Sequence, residues 1–345
     1  MTKKNHPKTR YNKIANVFTK EYIRAAQELN LAVKFITPRH EAVERYIEIS
    51  SPKKNIRIFR SQVPINNIVS DQISKNKVLV NNLLSEHDIC VPKQYVITEK
   101  SELKNLKRRL KFPVILKPVF LSKGKGITAN IQDFTELEHA FDLAKVATRR
   151  EMPKSDYNDI GIIIEEMIIG FDHRLTVLYD QMIGAIKKNP PLVIGDGKLT
   201  IRKLIEQENK SSMRANGQLS LIKIDNDLNQ TLKKQKYDID DIPEKNHQVI
   251  LHTISNLSAG ATTENITNQV HPKFKKIVLE AVKILDLQFA GVDLIAPDIS
   301  QNPDKQKWAI IEINSHPGSR LHLYPSIGQP VDIPKIVLQK LFNIK

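Results

Sequence analysis

The 345-residue sequence holds a single cysteine, Cys90, and a single tryptophan, Trp308. One cysteine excludes an internal disulfide and a thiolate metal cluster, and it suits a reducing compartment, so the cytoplasm is the expected address. No apolar run approaches the roughly 18 residues a membrane span needs. The basic start "MTKKNHPKTR" has no apolar segment behind it, which argues against a secretory signal; the first 20 residues read as a frayed tail. Also missing are internal repeats, low-complexity blocks, histidines paired at metal-ligating spacing, and a G-x-x-x-x-G-K-[ST] phosphate loop.

What is present is globular: 40% hydrophobic residues, in a chain long enough for two or three packed subdomains. Fifty-three basic residues against 38 acidic ones give a net charge of +15. A nucleic-acid partner would call for basic residues clustered with aromatics on one face. Here they are spread along the chain, and the wealth of Lys, Asn and Ile points as much to a biased genome as to a partner. Nucleic acid is therefore disfavoured, while a general positive field draws in anionic substrates such as nucleotides and carboxylates.

The apolar spacing predicts a helix over 21–30, two short strands in "LAVKFI" and "NIRIFR", and one helix starting at Ser70 or Asp71 through "SDQISKNKVLVNNLL". "FPVILKPV" and "ITANI" read as strands flanking the loop "FLSKGKGI". Asp133 with Glu136 forms a capping-box pattern for the helix that follows. "GIIIEEMIIG" is a buried strand, and "HRLTVLYDQMIGAIKK" a hairpin turning at Asp180–Gln181. Residues 205–247 look like a polar surface excursion. "HPKFKKIVLEAVKILD" carries the clearest apolar stripe, and "FAGVDLIAPDI" with "WAIIEIN" reads as a strand pair.

Four places carry chemistry. In "WAIIEINSHPGSR", strand alternation puts Ile311 and Ile313 on one face and Glu312 and Asn314 on the other. That pair is either a ligand set or a strand end surfacing into water. Asp293 stands among apolar residues in "GVDLI", where an unpaired carboxylate is costly. If the two strands pair, Asp293, Glu312 and Asn314 converge as hard oxygen donors suited to Mg²⁺ shared with phosphates. Lys117 lies inside a buried strand, and Ser122, Lys123, Gly124, Lys125 and Gly126 after it form either a phosphate-wrapping loop or a glycine-rich hairpin tip. Glu165 and Glu166, beside Met167 and Ile168, close a strand: a hinge offering backbone groups to an adenine and a carboxylate to a ribose, or two solvated acids.

The succession of Lys77 in "NKVLVNNLL", Lys117 in "ILKP", the glycine loop, "IIEEMIIG", Asp293 and "EIN…PG" resembles the ATP-grasp superfamily. "FDHRLTV", "PLVIGDGKLTIRKLIEQEN", "NLSAGATTENITNQVHP" and "EINSHPGSRLHLYPSIGQP" resemble the ATP-grasp module of cyanophycin synthetases, and much of this is similar to bifunctional glutathione synthetases. The resemblance covers about residues 70 to 342. It implies an α/β (α+β) ATP-grasp fold, two subdomains clasping ATP, with a small N-terminal α/β domain over 1–69 before the grasp domain at 70–345. Within the latter, 70–111 is a lead-in, 112–170 a lid subdomain and 171–345 a metal and substrate subdomain.

The resemblance further implies an ATP-dependent carboxylate–amine ligase acting through an acylphosphate, on amino acids or short peptides, and compatible with a homo-oligomer. Lys77, Lys117 and residues 122–126 would hold ATP phosphates. Glu165, Glu166, Met167, Ile168 and Asp172 would complete the nucleotide site. Asp293, Glu312 and Asn314 would hold one or two Mg²⁺, or Mn²⁺ in its place. Arg174, Lys188 and Arg320 would act on the γ-phosphate or a substrate carboxylate, and His252, Asn256, Ser258, Gly260 and Gly318 would line the substrate pocket. Two departures stand out. Cyanophycin synthetases carry a longer N-terminal domain and a second, Mur-ligase-like domain absent from these 345 residues, so a full cyanophycin cycle is not expected. His252 and Thr253 stand where that family has two arginines, which puts the substrate in question; a lone His252 also reads as a satisfied pocket histidine. A glutathione-synthetase-like reaction on a γ-glutamyl dipeptide and a catalytically silent ATP-binding subunit are the alternatives.

Overall fold

The computed structural model describes residues 17–36, 46–121, 125–151, 161–252 and 259–344. Ser122, Lys123, Gly124, Asn256 and Ser258 lie outside them, as does the basic start of the chain.

Helix α1 (Val17–Glu28) is followed by an antiparallel sheet of β1 (Ala32–Phe35), β2 (Tyr46–Ser51) and β3 (Lys54–Phe59) in that order. Period-two alternation buries Ile47 and Ile49 of β2 and Ile56 and Ile58 of β3 against Tyr22, Ile23 and Ala26 of α1. The same core takes in Val337, Leu338 and Leu341 from the far end of the chain.

The single helix expected from Ser70 or Asp71 is in fact two, α2 (Ile68–Lys75) and α3 (Lys77–Ser85). The Asn67 side chain caps the first. The Asn76 side chain accepts from the amides of Val78 and Leu79, both at 3.1 Å, and so caps the second. Asparagine serves better as a cap than inside a helix, so the chain breaks there. Lys77 thereby becomes the first residue of α3.

Next comes a four-stranded antiparallel sheet of β4 (Gln94–Ile97), β5 (Val114–Pro118), β6 (Thr128–Ile131) and β7 (Ile162–Glu166), ordered β4-β7-β5-β6. Between β6 and β7 runs α4 (Phe134–Glu151). Asp133 accepts from the Glu136 amide at 2.8 Å, while the Glu136 side chain reaches the Gln132 amide, one residue earlier than a capping box predicts. Val114, Leu116, Ile162 and Ile164 cover one sheet face and pack on Leu137, Phe141 and Ala144 of α4. Alternation sends Lys117 and Glu165 to the other face.

Strands β8 (Phe171–Leu178) and β9 (Gln181–Asn189) pair directly through Leu178 and Gln181. The turn is therefore Tyr179–Asp180, one residue earlier than expected, with Tyr179 at φ 55°. The chain then leaves the sheet through β10 (Leu192–Ile194), α5 (Ile201–Asn209), α6 (Asn226–Lys234) and β11 (Gln248–Ile250). This stretch is more than a polar excursion: Val193, Ile201, Ile205, Ile222, Leu228, Leu232 and Val249 form a core of their own.

Strand β12 (Thr262–Asn265), helix α7 (Pro272–Ile284), β13 (Phe289–Ala296) and β14 (Ala309–Asn314) complete a five-stranded antiparallel sheet ordered β12-β9-β8-β13-β14. Leu175, Val177, Val292 and Leu294 pack on Phe274, Val278 and Ala281 of α7. Between β13 and β14 the register slips: Asp293 faces Glu312 but Leu294 faces Ile310, so Ile311 bulges out. Ile310 and Ile313 share the core, correcting the expected pairing of Ile311 with Ile313. A one-turn helix α8 (Arg320–Leu323) and α9 (Ile333–Phe342) follow.

Candidate active site

The two large sheets each bury one face against a helix and turn a polar face the other way, and Lys77 contacts residues from both. On the four-stranded sheet, Lys117 Nζ lies 2.7 Å from Glu165 Oε1, and Gln94 Nε2 donates to Glu165 Oε2 at 3.1 Å. Lys117 and Glu165 are both buried, so each makes the other's desolvation tolerable. Lys77 Nζ donates to the Leu121 carbonyl beyond β5 at 2.9 Å and lies 3.9 Å from Glu312 of β14. Burial pushes the Lys77 ammonium down from its usual range, Glu312 partly offsets this, and Lys117 adds to it.

Glu165 and Glu166 part company, because neighbours on a strand face opposite ways. Glu166 pairs with Lys307 instead of joining Glu165. The Glu166 amide donates to the Lys93 carbonyl at 3.0 Å and the Met167 amide to Pro113 at 3.4 Å, so these two hinge donors are already engaged. Ile168 is buried. Lys125 pairs with Glu151 of α4 at 2.7 Å. Gly126 sits at φ 70°, and a Cβ there would come within 3.0 Å of Ala147 and Pro118, so its backbone lies close against α4 and the end of β5.

On the five-stranded sheet, register places Arg174 opposite Asp293, Lys188 opposite Asp172, and Asn314 opposite Gly291. All project from one face. Asp293 accepts from Arg174 Nε and Nη2 at 2.5 Å each, from Lys188 at 2.8 Å and from Asn314 Nδ2 at 3.1 Å. Burial alone would raise its pKa, but Arg174 and Lys188 outweigh burial and hold it at about 2. Lys188 also reaches both Asp172 oxygens, at 2.9 and 3.1 Å. Burial, with the neighbouring Asp293 charge, pushes the Asp172 carboxyl up despite Lys188 and Arg174. Glu312 is half-exposed, with Lys77 as its cation.

Asp293, Glu312 and Asn314 thus meet as the strand pairing predicts. Two carboxylates and an amide, with Arg174, Lys188 and Lys77 around them, suit a hard divalent cation shared with a polyphosphate. The fit carries one qualification of the expectation: both Asp293 oxygens are engaged by cations and by the Asn314 amide, which leaves Glu312 as the open carboxylate. Among the described residues no group of three or more His, Cys, Asp or Glu side chains that could hold a metal ion gathers at any place, and this site offers two carboxylates and an amide oxygen.

Farther along the face, Gly318 lies against Phe18 of α1. The Arg320 Nη2 donates to the carbonyls of Gly217 and, at 2.7 Å, Gln218, so its fork is turned onto the unit carrying α5 and α6. His252 is buried, with Nε2 at 4.0 Å from Asp225 and no hydrogen-bond partner for that atom among the described residues. Sequence reasoning missed His322, whose Nε2 lies 2.8 Å from Thr176 Oγ1 on the same polar face. It also missed Asp71, which accepts from Ser315 Oγ at 2.6 Å and lies 2.9 Å from His316. The available signal was glycine inside strands, which marks close approach. A Cβ on Gly184 would meet His322 Nδ1 at 2.9 Å, and one on Gly291 would meet Pro317 at 2.8 Å.

No protein-family model matches the chain. It is 30% identical over 279 residues to cyanophycin synthetase of Trichormus variabilis, covering 80% of this chain and 30% of that protein. It is 32% identical over 292 residues to the glutathione biosynthesis bifunctional protein GshAB of Listeria monocytogenes, covering 82% and 36%. The chain therefore spans about a third of the length of these curated relatives. Its fold matches the crystal structure of a bifunctional glutathione synthetase from Pasteurella multocida with a TM-score of 0.69 at 22% identity, over 97% of this chain and 44% of that one. No helix among the described residues is long and apolar enough to cross a membrane. The chain has an ATP-grasp fold and is related in sequence, over four-fifths of its own length, to a part of the cyanophycin synthetases.

Proposed function

We propose that the protein is an ATP-dependent carboxylate–amine ligase of the cytoplasm, acting on amino-acid or short-peptide substrates and releasing ADP and phosphate. The observation that carries this reading is the gathering of Arg174, Lys188 and Asn314 around Asp293, with Lys77 standing between the neighbouring Glu312 and the Lys117–Glu165 pair of the other sheet. Amide formation in water is uphill, so the carboxylate must be activated. Its oxygen takes the γ-phosphoryl group of ATP, ADP leaves, and the amine nitrogen then attacks the acyl carbon, losing a proton as phosphate departs. The work left to the protein is positioning and charge neutralisation.

Lys77 and Lys117 would neutralise phosphates, and Arg174 and Lys188 the charge that develops as the phosphoryl group moves. Glu165 has the depth of a residue that orients Lys117 and faces the nucleotide. Asp293, Glu312 and Asn314 would hold one or two Mg²⁺, with Mn²⁺ as a substitute; the metal would supply charge neutralisation on the phosphates. Arg320 with Gly260 and Gly318 belongs to the substrate side.

Screening pairs of amino acids and dipeptides for ADP release with Mg²⁺ and ATP, with mass spectrometry of the product, tests the reading. A product heavier than either substrate and lacking one water is expected; ATP binding without ADP release across the screen would leave a regulatory subunit instead. The 32% identity to GshAB favours one specific second reading, a glutathione-synthetase-like addition to a γ-glutamyl dipeptide, which the product mass separates from the first.

A further inference from the structure

Residues 217–220 are gripped from two sides by arginines. Arg214, at the end of a short helical turn over 212–215, is only 3% exposed. A guanidinium so deep requires acceptors, and this one has three. Its Nε donates to Glu208 at 3.0 Å, its Nη1 to the Ser220 carbonyl and its Nη2 to the Gly260 carbonyl at 2.8 Å. From the other side, Arg320 of α8 donates to the carbonyls of Gly217 and Gln218. Gln218, Ser220 and Arg320 then line one cavity together with Thr263 and Tyr324.

Gly260 has no freedom to drift. Its φ is +95°, and a Cβ would lie 2.6 Å from Ile222 Cγ1, so its backbone is pressed between Ile222 and the arginine. Ile222 is itself tied, amide and carbonyl, to the Asn209 side chain at 2.8 and 2.9 Å. The unit built on α5 and α6 is therefore joined to the substrate side of the sheet at two points. One is Gly260, through Arg214; the other is Arg320, through the 217–218 carbonyls.

We propose that Arg214 is a positioning residue for the acid- or amine-binding side of the site: its planar fork fixes the Gly260 carbonyl and the 217–220 segment, and that segment sets where Arg320 points. The inference rests on the ligase reading and adds to it the determinant of substrate placement. Three acceptors in different directions suit a guanidinium; an ammonium at the end of a lysine cannot span them all. No charge on Arg214 needs to reach the substrate.

Two variants, Arg214→Lys and Arg214→Met, test this. In the protein without substrates, Arg214→Met should raise amide hydrogen exchange at 217–222 and 259–263 while α7 and β13 exchange as before, with Arg214→Lys intermediate. In turnover, Arg214→Met should raise KM for the acid or amine about tenfold with KM for ATP within about twofold, and Arg214→Lys should recover part of the loss. Unchanged exchange at both segments overturns the proposal, as does an equal rise of both KM values. Should the wild-type protein ligate nothing, the ligase reading falls by itself, and the exchange pattern alone then upholds or overturns the clamp.

Discussion

Asp293 and Glu312 face each other across a strand pair, yet their surroundings assign them different jobs. Asp293 is enclosed by Arg174 and Lys188, and removing its charge takes the bidentate partner from buried Arg174 and leaves Lys188 with Asp172 alone. Asp293→Asn should cost about 3–5 kcal/mol, read as a lower urea midpoint. Glu312 is half-exposed, with Lys77 at 3.9 Å and the Arg174 charge nearby. Glu312→Gln should leave the midpoint within about 0.5 kcal/mol of wild type, while product formation falls by roughly 100-fold or more. Equal loss of stability in the two variants would contradict this division. Buried histidines add a pH dependence. Burial, then Arg174, pushes His322 down to about 3, and burial, then Lys187, pushes His173 down to about 4. Both titrate near 6.5 when unfolded, so between those values the unfolded chain binds more protons. Their contribution is complete above about pH 6.5 and is lost as pH falls toward 4, by up to about 1.4 kcal/mol per histidine per unit. His322→Gln should flatten a plot of urea midpoint against pH over that window.

Among the elements, strands β13 and β14 were the most legible. Alternation alone put Glu312 and Asn314 on one face, and the buried aspartate in "GVDLI" implied the partner. The bulge at Ile311 was not legible, because it arises from the register of two strands and leaves no mark in either one. The break between α2 and α3 was marked by Asn76, whose capping tendency competes with the apolar stripe running through it. Asn76→Ala should cost about 1 kcal/mol and loosen Lys77, seen as a lower urea midpoint together with a raised KM for ATP. The α5–α6 unit hid its core because four short elements each contribute only a few apolar residues. Glycine in β13 marks close packing: Gly291→Ala brings a methyl to 2.8 Å from Pro317 and 2.9 Å from Arg174 and should cost about 1–3 kcal/mol in the same denaturation experiment.

At the scale of the molecule, the two large sheets were foreseeable from the order of motifs, since each strand run carries its own helix. The packing of α1 against α9 was not, because nothing local links residues some 300 positions apart. Arg24 bonds Asp332 at 2.9 Å, Lys335 bonds Glu28 at 3.1 Å, and Lys54 reaches the Leu341 carbonyl at 2.8 Å. Beneath these contacts Val337 and Leu338 are fully buried with the β1–β3 sheet. Leu338→Ala should therefore cost about 2–5 kcal/mol and speed amide exchange in β2 and β3, far from it in sequence.

This shared core imposes an order on biosynthesis. The β1–β3 sheet and α1 emerge from the ribosome early, but their shared apolar core stays only partly covered until the α9 segment follows. At about 5–20 residues per second that wait lasts roughly 15–60 s, an interval in which a chaperone has a partly covered core to hold.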